Sequence, residues 1–274
     1  MLSQSQRDAI DVVLVSPRNP LNIGAVARAM ANFGFSRLTV VAPYAPRWRE
    51  ARSAVGAPEL LRDAKETESL AEAVADCTFV AGTGTRASRK PEQPVLSLPD
   101  AGPVLCQHLD RPGRMALVFG PEKHGLTRDD LSYCSLLIEI PTNPRQPSMN
   151  LGQAVAVCLY ELSRQAAHGD DERNTGGVRG LPPFAQKQAE RMGHGAVEVG
   201  PASSSGTLDR LAGLIEQTMT AAGYSPRVMQ PANRHDLRLL LRRLAPSALD
   251  TRRMLGLFRR ILFRLNRSGD PRDR

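Results

Sequence analysis

Residues 10–42 restrict the fold more than any other stretch. Residues 10–16 (IDVVLVS) read as a continuous apolar run, the pattern of a strand covered on both faces. Pro17 and Pro20 end the run, and Asn22 is placed to cap a helix. Ile23, Val26, Ala27, Met30 and Ala31 then recur at helical spacing, and Gly34 stops the helix. Residues 37–42 (RLTVVA) make a second strand. A strand, a helix and a strand within about 30 residues form a crossover, which pairs its two strands in parallel. The pattern continues. Residues 77–82 (CTFVAG), 114–119 (RMALVF) and 136–140 read as further strands, and PELLRDA, SLAEAVA and residues 100–110 as helices. TRDDLSYC holds a short helix capped by Thr127, with Asp129 and Asp130 suited to its first turn. Residues 86–99, basic and proline-containing, read as a loop. The fold class is α/β, a parallel sheet with helices on both faces.

The segment 140–163 (IPTNPRQPSMNLGQAVAVCLYELS) is unusual. A strand end enters a loop with three prolines, Pro141, Pro144 and Pro147, which delivers Ser148 and Asn150 to a helix start. Both are good N-cap types. Leu151, Ala154, Val155, Val157, Cys158, Leu159 and Leu162 cover most of the helix circumference, so burial on nearly all sides is expected. Three prolines suit either a stiff connection between a strand and a core helix or a loop whose shape matters.

The net charge of +8 is unevenly placed. Residues 1–200 hold 22 basic and 22 acidic side chains; residues 201–274 hold 14 arginines, no lysine and six acids. Arginine forks onto phosphates and stacks on bases, so the last quarter points to nucleic acid. That quarter reads as three helices with leucine stripes on one side and arginine stripes on the other, Arg234, Arg238 and Arg242 in one and Arg253, Arg260, Arg264 and Arg267 in the next. The organisation read from the chain is an α/β domain at 1–167, a Gly/Pro/Ser-rich linker at 168–206 with a weak helix around Ala185–Arg191, a basic helical module at 207–267 and a tail at 268–274.

Composition excludes several classes. Aromatics at 4% leave too few rings for an extended base-stacking sheet. No apolar run spans a bilayer, and the N-terminus lacks the pattern of a signal peptide. Cys77, Cys106, Cys134 and Cys158 are widely separated and do not cluster with histidines, which fits buried thiols in a reducing cytoplasm and no zinc site.

Ligands of open α/β sheets bind beyond the carboxyl ends of the strands. Four such ends carry small or polar residues: Asn19–Gly24, Thr83–Thr85, Gly120–Gly125 and Pro141–Asn150. Gly82-Thr83-Gly84 is not a dinucleotide fingerprint, no phosphate-binding P-loop is present, and no Ser-His or Cys-His pairing stands out.

Taken together, NPLNIGAVAR (Asn19–Arg28), LVFGPEKHGL (Leu117–Leu126) and IPTNPRQPSMNLGQAV (Ile140–Val155) resemble the three motifs of the SPOUT methyltransferases, in the branch that methylates ribose 2′-hydroxyls. The resemblance covers residues 10–167. The linker and basic helical C-terminus, with Thr83–Thr85, Arg86 and Arg89, resemble more loosely those members that act on cytidine or uridine 32 of tRNA.

The resemblance implies a trefoil knot threaded by residues 140–165 and a homodimer through the knot helix. It implies S-adenosylmethionine bound by Thr83, Gly84, Thr85, Gly120, Ile140, Pro147, Ser148 and Met149, without a metal. Arg28 corresponds to the motif arginine, which positions the substrate, with Ser148 and Asn150 holding the ribose and Glu122 bracing Asn22 or Arg28. Asn19, Asn22, Arg86, Arg238, Arg242, Arg253 and Arg260 are expected to contact tRNA. Methylation of another tRNA or rRNA ribose, or RNA binding without catalysis on the same scaffold, are the alternatives.

Overall fold

The computed structural model describes residues 2–84, 91–172, 201–224 and 229–268. Thr85, Arg86, Arg89, residues 185–191 and the expected tail beyond 268 lie outside these residues.

Seven parallel strands form one sheet: β1 (Ile10–Val15), β2 (Leu38–Val41), β3 (Lys65–Thr67), β4 (Phe79–Thr83), β5 (Val95–Ser97), β6 (Met115–Phe119) and β7 (Leu136–Glu139). Their order is β3-β2-β1-β6-β4-β7-β5. β1 pairs with β2 at Val12–Leu38 and with β6 at Ile10–Met115. The helices of this domain are α1 (Gln4–Asp8), α2 (Pro20–Phe33), α3 (Pro58–Arg62), α4 (Leu70–Ala73), α5 (Leu98–Leu109), α6 (Arg128–Leu131) and α7 (Leu151–Glu172), with a 3-10 turn at Trp48–Glu50.

The alternation of side chains along β1 explains the two-sided core. Ile10, Val12 and Leu14 pack into one apolar cluster with Ile23, Val26 and Met30 of α2 and Val155, Cys158 and Leu159 of α7. Val13 and Val15 face the other cluster, with Leu70 and Val74 behind α4 and Leu131 of α6. Period two on a strand buries both sets only if both faces are covered. The run holds one charge, Asp11, which is buried but accepts from Arg37 Nε at 2.8 Å and from Arg114.

Several expectations change in detail. The cap of α2 is Asn19, whose Oδ1 accepts from the Leu21 N–H at 3.0 Å; Pro20 is the first helical residue, and Asn22 lies inside the first turn. Gly34 ends α2 in the left-handed region, as its sequence position implied. The 86–99 loop contains β5, and β3 lies between the two short helices of 58–73. α7 is not buried all round: Gln153, Val157 and Tyr160 form an exposed stripe.

The C-terminal module consists of α8 (Ser205–Ala221), α9 (Gln230–Leu244) and α10 (Ala248–Ser268). Leu208, Leu211, Ala212 and Leu241 make its core. The chain is already engaged at the end of the expected linker, because the Ser205 and Gly206 N–H groups donate to the carbonyls of Cys77 and Ala75 at 2.8 and 3.0 Å.

Two arginines expected to meet RNA do something else. Arg238 and Arg242 are only 6% and 9% exposed. Arg238 bonds Asp209 at 2.7 Å and Asp129 at 2.8 Å and lies over the Tyr133 ring at 4.3 Å. Arg242 donates to the Tyr133 carbonyl and to Ser205 Oγ, both at 2.8 Å. Their stripe faces the α/β domain, so they dock the module rather than bind substrate. Arg253 and Arg260 are exposed, together with Arg252, Arg259, Arg264 and Arg267 on α10.

Candidate active site

The strand order makes the four candidate loops neighbours. They leave β1, β6, β4 and β7, which are consecutive across the sheet. The chain runs outward from β1 through β2 to β3, then returns to the other side with β4, so the loops cluster where the connections reverse direction.

A hydrogen-bond relay joins three of these loops. Glu122, beyond β6, accepts from the Arg18 N–H at 3.2 Å, the Asn19 N–H at 3.4 Å and Asn22 Nδ2 at 2.7 Å. Asn22 Oδ1 accepts from Asn150 Nδ2 at 2.9 Å. Asn150 Oδ1 in turn accepts from the Gly152 N–H at 2.9 Å, capping α7. Every donor points towards Glu122. A carboxylate can only accept, so it fixes the orientation of the Asn22 amide, which fixes that of Asn150. Burial pushes the Glu122 carboxyl up, but the bonds from Asn22 and from its own, Arg18 and Asn19 backbone N–H groups outweigh this and hold it below the ordinary carboxylate range.

Close backbone approach sets the loop positions. A Cβ on Gly120 would lie 2.3 Å from Gly125 C and Leu126 N, so only glycine allows the Pro121–Gly125 turn to fold back, closed by Gly125 N–H to Pro121 O at 2.9 Å. A Cβ on Gly152 would lie 2.8 Å from Ala25 Cβ, so α2 and α7 touch where Asn22 meets Asn150. Further along, Phe33 and Tyr160 meet edge to face at 6.3 Å. Thr83 Oγ1 donates to Val118 O at 3.2 Å, and the Gly84 N–H to Ile138 O at 3.1 Å, tying the end of β4 to both neighbouring strands. In the proline loop, Thr142 Oγ1 donates to Pro147 O at 3.3 Å and Gln146 N–H to Asn143 O at 2.8 Å.

The structure thus brings Asn19, Asn22, Glu122 and Asn150 into one network and places Thr83, Gly84, Gly120 and Ile140 on the adjoining strand ends. Asn150 rather than Ser148 caps α7; Ser148 is exposed and its hydroxyl has no bond among the described residues. Arg28 lies six residues along α2 from Asn22 and is exposed, on the same face as Leu21. It is not the partner of Glu122. Sequence reading missed Arg18 and Tyr44, whose guanidinium and ring stand 5.8 Å apart past the ends of β1 and β2. The available signal was an aromatic just beyond a strand end in a chain poor in rings.

Elsewhere, a cavity of ≈ 320 Å³ lies at the module, lined by Glu92, Met219, Asn233, Asp236, Leu240 and Arg243. Ligand atoms of Glu92, His235 and Asp236 come within 4.8 Å of one another there. Donor chemistry, not concavity, locates the candidate site at the strand ends.

Among known proteins, the SpoU rRNA Methylase family model matches residues 9–160. The chain is 32% identical over 264 residues to the tRNA (cytidine/uridine-2′-O-)-methyltransferase TrmJ of Pectobacterium atrosepticum, covering 96% of this chain and 99% of that one. It is 40% identical over 156 residues to the tRNA (cytidine/uridine/adenosine-2′-O-)-methyltransferase TrmJ of Pseudomonas aeruginosa, a match spanning 57% of this chain and 60% of the relative. The crystal structure of TrmJ from Z. mobilis ZM4 superposes with a TM-score of 0.72 at 29% identity, over 92% of this chain and 98% of that one. The three sequence motifs, the sheet order that gathers them and these matches agree: the chain belongs to the SpoU methylase family, within the SPOUT superfamily.

Proposed function

We propose that this chain methylates the ribose 2′-hydroxyl of cytidine or uridine 32 in tRNA, with S-adenosylmethionine as donor. The relay from Glu122 through Asn22 to Asn150 carries the reading, because it binds the three motif loops into one site. The strand-end cradle fits the donor. A Cβ on Gly84 would meet nothing within 4 Å, and the N–H groups of Ser148 and Met149 have no partner among the described residues, leaving donors for a nucleoside. Thr83, Gly84, Gly120, Ile140 and Pro147–Met149 would hold it, with Thr85 beside them. The donor supplies an electrophilic methyl whose leaving group is neutral, so charge neutralisation by a metal is not needed.

This chain's own task is to hold a poor nucleophile in line. A guanidinium offers donors and no acceptor, so Arg28 steers the phosphate beside the target ribose rather than taking its proton. Ser148, with a free hydroxyl, and Asn150, fixed by the relay, hold the sugar. Arg28 is exposed two helical turns from Leu21 on α2, and Leu21, Val157 and Tyr160 are 55%, 37% and 54% exposed. Such exposed apolar side chains support a homodimer through α2 and α7, with Arg28 near the joint, and the knot at 140–165 belongs to the same reading. The exposed arginines of α10, Arg253 and Arg260 among them, supply a tRNA-binding face. No helix among the described residues is long and apolar enough to cross a membrane, which fits a cytoplasmic enzyme.

Nucleoside mass spectrometry on tRNA from a strain lacking the gene tests this. 2′-O-methylcytidine and 2′-O-methyluridine at position 32 should disappear and return with the wild-type gene. They should not return with Arg28→Ala, while calorimetry shows the donor still bound with near-wild-type affinity. Because the relatives' names differ in whether adenosine is accepted, all three nucleosides are scored. Unchanged modification in the deletion strain would remove the assignment.

A further inference from the structure

β1 and β2 leave the sheet in the same uncommon way. Ser16 and Ala42 adopt positive φ, 44° and 41°, and Ala245 is the one other non-glycine residue to do so among the described residues. Such backbone persists where its surroundings hold it, and it gathers at ligand sites. Here the surroundings are explicit: the Ser16 N–H donates to Val41 O and the Ala42 N–H to Thr67 O, both at 2.8 Å. The two exits are then tied together, the Tyr44 N–H donating to Pro17 O at 3.2 Å.

This arrangement presents a ring. Tyr44 is 78% exposed, so the core does not require it. The Arg18 guanidinium stands 5.8 Å from its centroid, within cation–π range. Arg18 is also the residue whose N–H donates to Glu122, so the pair is anchored on the carboxylate that orients Asn22. An exposed aromatic flanked by arginine is the surface on which unpaired bases stack, and every base offers a π-face to it.

We infer that Tyr44, flanked by Arg18, is a stacking platform for an unpaired nucleobase of the RNA substrate, next to the nucleotide whose ribose enters the site. The inference rests on the methyl-transfer reading above and adds a positioning residue to it. A platform of this kind discriminates by strandedness rather than by base identity. It accepts a loop whose bases can splay and rejects a duplex whose bases are stacked on each other.

The test uses the full chain and a tRNA carrying fluorescent 2-aminopurine beside the target nucleotide. Binding to wild type should quench the fluorescence, and Tyr44→Phe should preserve the quench. Tyr44→Ala and Tyr44→Leu should lose it and raise KM for tRNA about tenfold, by the usual strength of one base–aromatic stack. Donor affinity and kcat at saturating tRNA should stay at wild-type values. The platform is refuted if Tyr44→Leu behaves like Tyr44→Phe, or if Tyr44→Ala keeps both quench and KM. The two readings separate: normal methylation with an unaffected Tyr44→Ala removes the platform alone. A Tyr44-dependent quench without methylation by any variant removes the reaction and keeps the platform.

Discussion

The relay predicts an unusual double mutant. Glu122→Gln keeps one acceptor and turns the other oxygen into a donor. Asn22 Nδ2, 2.7 Å from Glu122 Oε1, then loses its charged partner. A charge-assisted hydrogen bond contributes about 1.5–3 kcal/mol, and Glu122 is solvent-accessible, so the low end applies: about 1.5 kcal/mol, or roughly tenfold in rate. Asn22→Asp is worse. It removes the donor and sets two carboxylates about 3 Å apart, which at an effective dielectric between that of a protein surface and that of bulk water costs about 2–3 kcal/mol beyond the lost bond, together roughly two to three orders of magnitude. Combining them reverses the donor. The new amide nitrogen at position 122 can donate to the new carboxylate at position 22. That carboxylate can still accept from Asn150 Nδ2, and the amide oxygen kept at position 122 can still accept from the Arg18 N–H. Only the long 3.4 Å bond from Asn19 is lost. The pair should therefore couple by about 3–4 kcal/mol and return to within roughly tenfold of wild type, far above the product of the single effects. Methyl-transfer kcat/KM across the four proteins measures this, with hydrogen exchange over residues 18–24 and 141–150 as an activity-independent readout. Additive losses, or a fully active Asn22→Asp, would show that the relay does not set the loops.

Three further outcomes follow from particular contacts. Arg242→Met should loosen the C-terminal module by about 3 kcal/mol, because it leaves the buried Tyr133 carbonyl and Ser205 hydroxyl without their donors, and limited proteolysis within α8 and α9 should become far faster. Gly120→Ala should abolish methyl transfer, since its Cβ meets backbone that cannot move aside, and donor binding by calorimetry should fall with it. His108, stacked on Phe79 at 3.8 Å, is pushed down to about 4 by burial and by Arg111. A depressed histidine favours the fold fully above its unfolded value near 6.5, and this contribution falls away as pH drops towards 4. Thermal melting should therefore decline more steeply between pH 6.5 and 4 in wild type than in His108→Gln.

The sequence carried the parallel sheet because β1 buries both of its faces, so its run is apolar in either parity, and the crossover to β2 follows from length alone. It carried the four loops because strand ends in such a sheet share one edge. β3 and β5 left no trace, being three residues each; Lys65 and Glu66 of β3 are exposed, and β5 sits in a proline-containing stretch. The helical stripes of α9 were correctly separated but wrongly faced. A stripe of Arg238 and Arg242 looks the same whether it meets phosphate or the Asp129 and Tyr133 of a neighbouring domain and the module's own Asp209. Asn19 and Asn22 are equally good caps by type, and only the turn geometry distinguishes the cap from the relay member.

The contact of α2 with α7 also sets when this molecule can become competent during its synthesis. α2 leaves the ribosome early, yet the surface it needs lies some 130 positions later, at Gly152 and Tyr160. A nascent chain that stops short of that helix has its strand-end loops but no Asn150 to close them and an open flank on its first crossover. Ribosome-stalled fragments ending near residue 140 should therefore be captured by chaperones, and those long enough to expose residue 165 should be released.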